Sequence, residues 1–257
     1  MSKSYIDQAF QEKLANNQKL FVPYIMAGDG GLENLNDRID FLQSCGASAV
    51  ELGIPFSDPV ADGPTIQNAG LRALANGTNL AGVLETLANN KENRGIPIIL
   101  MTYFNPIYTY GVERFANDCA EAGVDGVIIP DLPLEEEALI GGFLTEKSIA
   151  FVRLAALTSG EERLAEIAKR SEGFLYAVSV TGTTGAKASH SDTVKGFLQG
   201  LKKVSEIPVL AGFGVSNSDQ AKELGGNCDG VIVGSKIVDL FHEGKTNEIS
   251  ELIKNSL

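Results

Sequence analysis

Eight short apolar runs, most of them rich in β-branched residues, recur along the chain at residues 20–26 (LFVPYIM), 48–53 (SAVELG), 97–103 (PIILMTY), 125–130 (DGVIIP), 149–155 (IAFVRLA), 174–179 (FLYAVS), 207–211 (IPVLA) and 229–233 (DGVIV). Stretches with helical spacing separate them. Leu80, Val83, Leu84 and Leu87 follow the i, i+3, i+4, i+7 pattern, and Leu164, Ile167 and Ala168 do so after Glu161 and Glu162, whose charge suits a helix N-terminus. Strands alternating with helices require a parallel sheet joined by right-handed crossovers. No Pro-, Gly- or Ser-rich linker interrupts the series. At 257 residues the size is that of a single (β/α)₈ TIM barrel spanning 1–257. A doubly wound open sheet is the alternative, but its dinucleotide-binding form needs G-x-G-x-x-G after the first strand, and Gly28, Gly30 and Gly31 lack that spacing.

Two further patterns fit the barrel. Gly46, Gly123 and Gly226 each end a helical stretch and lead into GASAVELG, GVDGVIIP and GNCDGVIVG, a weak repeat of one αβ joint. Ahead of the first strand, residues 2–17 carry Ile6, Phe10 and Leu14 every four positions, which predicts an extra N-terminal helix laid against the barrel bottom.

A content of 44% hydrophobic residues supports a sizeable core, and the net charge of −12 argues against nucleic acid and anionic membrane as partners. That charge does not oppose phosphate binding, because backbone N–H groups at a helix N-terminus hold an anion locally. Cys45, Cys119 and Cys228 show no C-x-x-C spacing, so buried free thiols are expected rather than disulfides or a zinc site. No segment has the apolar length of a signal peptide or membrane span, and a reducing cytoplasm is the expected location.

Residues 51–68 read ELGIPFSDPVADGPTIQN. In the strand leading into them, Ala49, Glu51 and Gly53 share one face and Val50, Leu52 and Ile54 the other. Bulky residues packed outward against helices leave Glu51 pointing into the barrel near the strand's C-terminal end, where barrel enzymes keep their chemistry. Asp58 and Asp62 follow on a proline-stiffened loop. On these residues alone, Glu51 also reads as a strand-end carboxylate paired with a base, and Asp62-Gly63 as a simple turn. After strands six, seven and eight come the Gly-rich elements TGTTG (181–185), GFGVS (212–216) and Gly234-Ser235. All three open on one rim, where glycine admits close backbone approach and a helix starting near Gly234-Ser235 aims its N–H groups at an anion.

The run ELGIPFSDPVADGPTIQ, with FVPYIMAGD, LMTYFNPI, GVIIPDLP, GFG and VGSKIV in the same order, closely resembles the tryptophan synthase alpha chain family over nearly the whole chain. The resemblance implies cleavage of indole-3-glycerol phosphate to indole and glyceraldehyde 3-phosphate by a retro-aldol reaction, with no metal or organic cofactor in this chain. It implies a partner beta chain, carrying pyridoxal phosphate, in an alpha2beta2 heterotetramer, to which indole passes through a tunnel. By motif position Glu51 is the acid and base, its pKa raised by desolvation, and Asp62 accepts a hydrogen bond from the indole N–H. The same match places Tyr176 near the reacting centre, Phe21, Met101, Leu154 and Phe213 around the indole, and Thr184 on a closing loop. It assigns the phosphate grip to Gly185, Gly214, Gly234 and Ser235, and the rim facing the beta chain to Pro55, Phe56 and Asp58. Two departures stand out: LAALTS at 154–159 has Leu157 in a stretch where many members carry a proline, and Val180 stands where some carry Arg.

Other phosphate-binding barrels, such as indole-3-glycerol phosphate synthase, a pentose-phosphate epimerase or a triose-phosphate isomerase, depend on a strand-end lysine or on histidines. Here His190 and His242 read as surface residues. A non-catalytic partner subunit that activates a beta chain is the other alternative, against which the intact acids argue.

Overall fold

The computed structural model describes residues 3–178, 192–212 and 214–257. Among the described residues nine parallel strands are present: β1 (Leu20–Met26), β2 (Val50–Gly53), β3 (Ile98–Met101), β4 (Gly126–Ile128), β5 (Ala150–Phe151), β6 (Arg153–Ala156), β7 (Leu175–Val178), β8 (Val209–Gly212) and β9 (Gly230–Val233). Their order in the sheet is β5-β4-β3-β2-β1-β9-β8-β7-β6. The two edge strands of that order are neighbours in the chain, separated by Val152 alone. Phe151 pairs with Val127 on β4 and the Val152 N–H still donates to the Val127 carbonyl at 3.0 Å, whereas Arg153 onward pairs with β7. The run expected as one fifth strand is therefore one chain segment that exchanges its partner midway, and this exchange closes the sheet into a barrel.

Around the sheet, the described residues form helices α1 (Lys3–Ala15), α2 (Leu35–Ser44), α3 (Pro64–Ala75), α4 (Leu80–Asn89), α5 (Phe104–Tyr110), α6 (Val112–Ala122), α7 (Gly141–Glu146), α8 (Glu161–Arg170), α9 (Asp192–Val204), α10 (Ser218–Gly225), α11 (Ser235–His242) and α12 (Thr246–Lys254). In α4 the buried residues are Leu80, Val83, Leu84 and Leu87, the stripe that the spacing predicts, and Asn79 caps it by accepting from the Gly82 N–H at 3.0 Å. The αβ joints are less alike than their sequences: Gly46 and Gly123 have φ of 98° and 68°, but Gly226 has −64°.

Alternation along the strands sorts the core into two shells. Phe21, Ile25, Val50, Leu52 and Ile54 belong to the layer between sheet and helices. Leu20, Val22, Ala49, Ile99, Val152, Phe174, Leu210 and Ile232 fill the barrel interior, and α1 closes its N-terminal end with fully buried Ile6 and Phe10. The Phe10 and Phe174 rings lie 6.0 Å apart. A helix plugging the bottom is thus present as expected. Phe21 is a correction: it is wholly buried in the outer layer, on the opposite face of β1 from the barrel interior, so it cannot wall a pocket at the mouth.

Cys45, Cys119 and Cys228 are buried and unpaired. His242 is exposed at the end of α11, with α12 still to follow. Among the described residues no helix is long and apolar enough to cross a membrane.

Candidate active site

Glu51 sits at the second inward position of its strand run, above Ala49 and below Gly53. Its backbone pairs with Tyr24 on β1 and Ile99 on β3, so the inward faces of three strands meet there. The residue is 1% exposed, and its Oε2 has no hydrogen-bond partner among the described residues. Burial, followed by the nearby Asp62 charge, raises its pKa to about 8. An unpaired buried carboxyl disfavours its charged form, so at neutral pH Glu51 holds a proton ready to give.

Asp62 reaches the same mouth on the loop between β2 and α3. Pro64 occupies the first turn of α3, where its missing N–H costs nothing, and Gly63 precedes it as the cap. The Asp62 N–H donates to the Pro59 carbonyl at 3.1 Å and Gln67 Nε2 donates to the Asp62 carbonyl at 2.8 Å, which fixes the backbone carrying the acid. Burial raises the Asp62 pKa to about 6, opposed by a hydrogen bond from the Tyr103 hydroxyl. The two acids therefore differ: between about pH 6 and 8 Asp62 is charged while Glu51 is neutral.

Three tyrosines complete the cluster. Tyr24, Tyr103 and Tyr176 all have raised pKa values, first through burial and then through Asp62 or Glu51, so each stays a neutral phenol. Glycine makes room for two of them: a Cβ on Gly53 would collide with the Tyr24 hydroxyl, and one on Gly212 with the Tyr176 ring. Met101, Leu154 and Tyr176 pack on the inner cluster from the mouth side, which brings together three of the five side chains expected near the indole. Phe213 lies outside the described residues, as do Thr184, Gly185, Val180 and His190.

Tyr24, not Phe21, is the β1 residue at the mouth; both faces of β1 are apolar, so its period alone does not separate them, but its register beside Glu51 does. Tyr103 was also missed, although it stands within the quoted LMTYFNPI.

Across the mouth, α11 starts at Ser235 with Gly234 before it. A Cβ on Gly234 would be 3.7 Å from the Tyr24 Cβ, so Tyr24 bridges this helix start and Glu51. The Ser235 hydroxyl is buried without a partner among the described residues. Gly214 has φ of 66° and open space where a side chain would be. An orphan hydroxyl beside the free N–H groups of a helix N-terminus suits an anion. On the rim, Asp58 is exposed and Phe56 half-buried, its ring 5.4 Å from that of Tyr103. Pro55, beside them, is buried. Leu157 is half-exposed and its N–H donates to the Val178 carbonyl at 3.2 Å, tying the end of β6 to β7.

Residues 10–257 match the sequence profile of the tryptophan synthase alpha chain family. A tryptophan synthase alpha chain from Oceanobacillus iheyensis is 60% identical over 257 residues, covering 100% of this chain and 98% of the relative. One from Bacillus cereus is 48% identical over 247 residues, with 96% of each covered. Among solved structures, tryptophan synthase subunit alpha from Legionella pneumophila superposes with a TM-score of 0.88 at 33% identity, covering 100% of this chain and 97% of that one. A chain from the tryptophan synthase a2b2 complex of Pyrococcus furiosus, described as mutually activating, gives 0.84 at 36% identity over 93% and 97%. Matched along nearly its whole length by profile, sequence and backbone alike, the chain belongs to the tryptophan synthase alpha chain family.

Proposed function

We propose that this chain cleaves indole-3-glycerol phosphate to indole and glyceraldehyde 3-phosphate, with Glu51 as the acid and base. The observation that carries the reading is a carboxyl buried at the barrel mouth, its Oε2 without a partner among the described residues, beside a second acid whose lower pKa makes it the charged one of the pair at neutral pH. Glu51 gives its proton to indole C3, forming an indolenine whose positive charge spreads to the ring nitrogen. Asp62 accepts a hydrogen bond from that N–H and stabilises the charge as it grows. The Glu51 carboxylate then takes the proton of the hydroxyl on the adjacent glycerol carbon. As the hydroxyl becomes a carbonyl, the bond from that carbon to C3 breaks and its electron pair returns to the ring. Indole keeps the delivered proton and Glu51 is restored. Gly214, Gly234, Ser235 and Gly185 hold the phosphate, and Met101, Leu154, Tyr176 and Phe213 surround the indole with Tyr24, while Thr184 closes over it.

Each step moves only a proton and an electron pair, so the chemistry calls for no metal or organic cofactor in this chain; pyridoxal phosphate belongs to the beta chain. Assembly as alpha2beta2 is part of the same proposal, with Phe56, Asp58 and the 80% exposed Val60 on the rim facing the partner. A cytoplasmic location accords with the three unpaired thiols.

The test is indole release from indole-3-glycerol phosphate, with and without EDTA and with and without an added beta chain. Release untouched by EDTA and raised by the beta chain is expected. The reading also expects kcat/KM to follow a bell with limbs near pH 6 and 8, reporting the coupled acid pair. No release under any of these conditions overturns it.

A further inference from the structure

We infer that Tyr103 is the positioning residue for Asp62: its single hydroxyl fastens the backbone of the β2–α3 loop, one residue before the acid, to the start of α5. The inference rests on the cleavage proposed above and adds a residue to it.

A phenol has one proton to donate and lone pairs to accept with, and here both are used on adjacent loop residues. The Ala61 N–H donates to the Tyr103 oxygen at 2.9 Å. One residue on, the same hydroxyl acts on the Asp62 carboxylate as a donor and lowers its pKa. Tyr103 itself cannot drift. It is 4% exposed, and it caps α5 directly after β3, whose last residue Met101 pairs with Gly53 of β2. Among the described residues, the other hydrogen bonds holding the loop are its own turns and the one from Gln67. A short strand-end phenol thus links the strand beside Glu51 to the acid opposite it.

The bond has a direction. Donation to the charged form of Asp62 opposes the rise that burial imposes, so losing the hydroxyl leaves burial unopposed. Among the described residues, the charged and titratable groups facing this pair are Glu51 on β2, Tyr24 on β1, Tyr176 on β7, and Asp131 after β4, all neutral or negative. None of them replaces the lost donor. Phe56 stacks on the Tyr103 ring, and that contact survives when only the hydroxyl is removed.

Tyr103→Phe is therefore the test, read as the pH profile of indole release beside the native chain and Asp62→Asn. The expected result is an acidic limb moved up by about one pH unit, the alkaline limb set by Glu51 unmoved, and kcat lowered about tenfold with KM changed less than threefold. In the Asp62→Asn background, Tyr103→Phe should cost less than twofold more. A native-like acidic limb and kcat, or the same loss in both backgrounds, overturns the inference. Thermal unfolding of both variants separates a folding defect from either result. If the native chain releases no indole, the proposed cleavage fails instead, and direct titration of Asp62 by carboxyl NMR, expected to rise in Tyr103→Phe, still decides the role of Tyr103.

Discussion

The two ends of the barrel interior are built from the same strands but for different ends of the energy scale. At the N-terminal end Ile6, Phe10, Leu20, Val22, Phe174 and Leu210 pack into an apolar plug with almost no exposed surface. Toward the C-terminal end the same alternation delivers Glu51, Tyr24, Tyr176 and, from the loops, Asp62 and Tyr103. Glu51 Oε2 and Ser235 Oγ at this end are two of the four buried side-chain atoms left without a partner among the described residues. Unpartnered buried groups cost stability, so the bottom holds the fold while the top tolerates strain that only a substrate relieves. Mutations at the two ends should separate cleanly into loss of stability and loss of turnover.

The largest effect belongs at the top. Glu51→Gln should lower indole release by at least about a thousandfold, since the proton donor and acceptor are both lost. The same change should stabilise the fold. The folded pKa of about 8 lies above the usual value of 4.5, so the native chain loses stability as pH rises from about 4.5 to 8. Glutamine removes that loss, worth about 3 kcal/mol at pH 7. Urea unfolding at pH 5 and pH 8 checks it: native and variant should agree more closely at the lower pH, and a variant less stable than native at pH 8 would contradict the sign.

Phe10→Ala probes the other end. Removing a fully buried ring against Phe174 should cost about 3–5 kcal/mol in the same unfolding experiment. Turnover per folded molecule should stay within twofold of native at low temperature. A large fall in turnover without unfolding would break the division between the two ends.

A smaller effect is expected at Ser235. Its orphan hydroxyl has nothing to lose in the free chain, so Ser235→Ala should leave stability level or slightly higher. With the phosphate ester present it should raise KM about tenfold, the loss of roughly one hydrogen bond to a charged group, with kcat within twofold. Steady-state kinetics on the ester resolve the two constants.

The unequal legibility of the two ends in the sequence has a physical reason. Period-two alternation around Glu51 sufficed to turn it inward, because Val50, Leu52 and Ile54 are all bulky on the other face. On β1 both faces are apolar, and Phe21 was taken for a mouth residue when Tyr24 occupies that place. Only its pairing with Glu51, a fact of tertiary register, distinguishes them. The stripe of α4 and the plug of α1 were readable from spacing, since each depends on its own helix. The break at Val152 was not, because 149–155 reads as one continuous strand-like run and the break arises where the chain passes from β4 to β7. Tyr103 stood in a recognised motif without a role. What assigns it one is its reach to Ala61 and Asp62, more than forty residues away in the chain for each.

The protonation of Glu51 is the point on which the rest turns. Carboxyl-carbon NMR of the selectively labelled chain, titrated without ligand from pH 4 to 10, measures it directly. The account predicts a midpoint near 8, so that Glu51 is mostly protonated at pH 7. A midpoint near the usual glutamate value of about 4.3 would leave no proton to deliver to the indole ring and would contradict it.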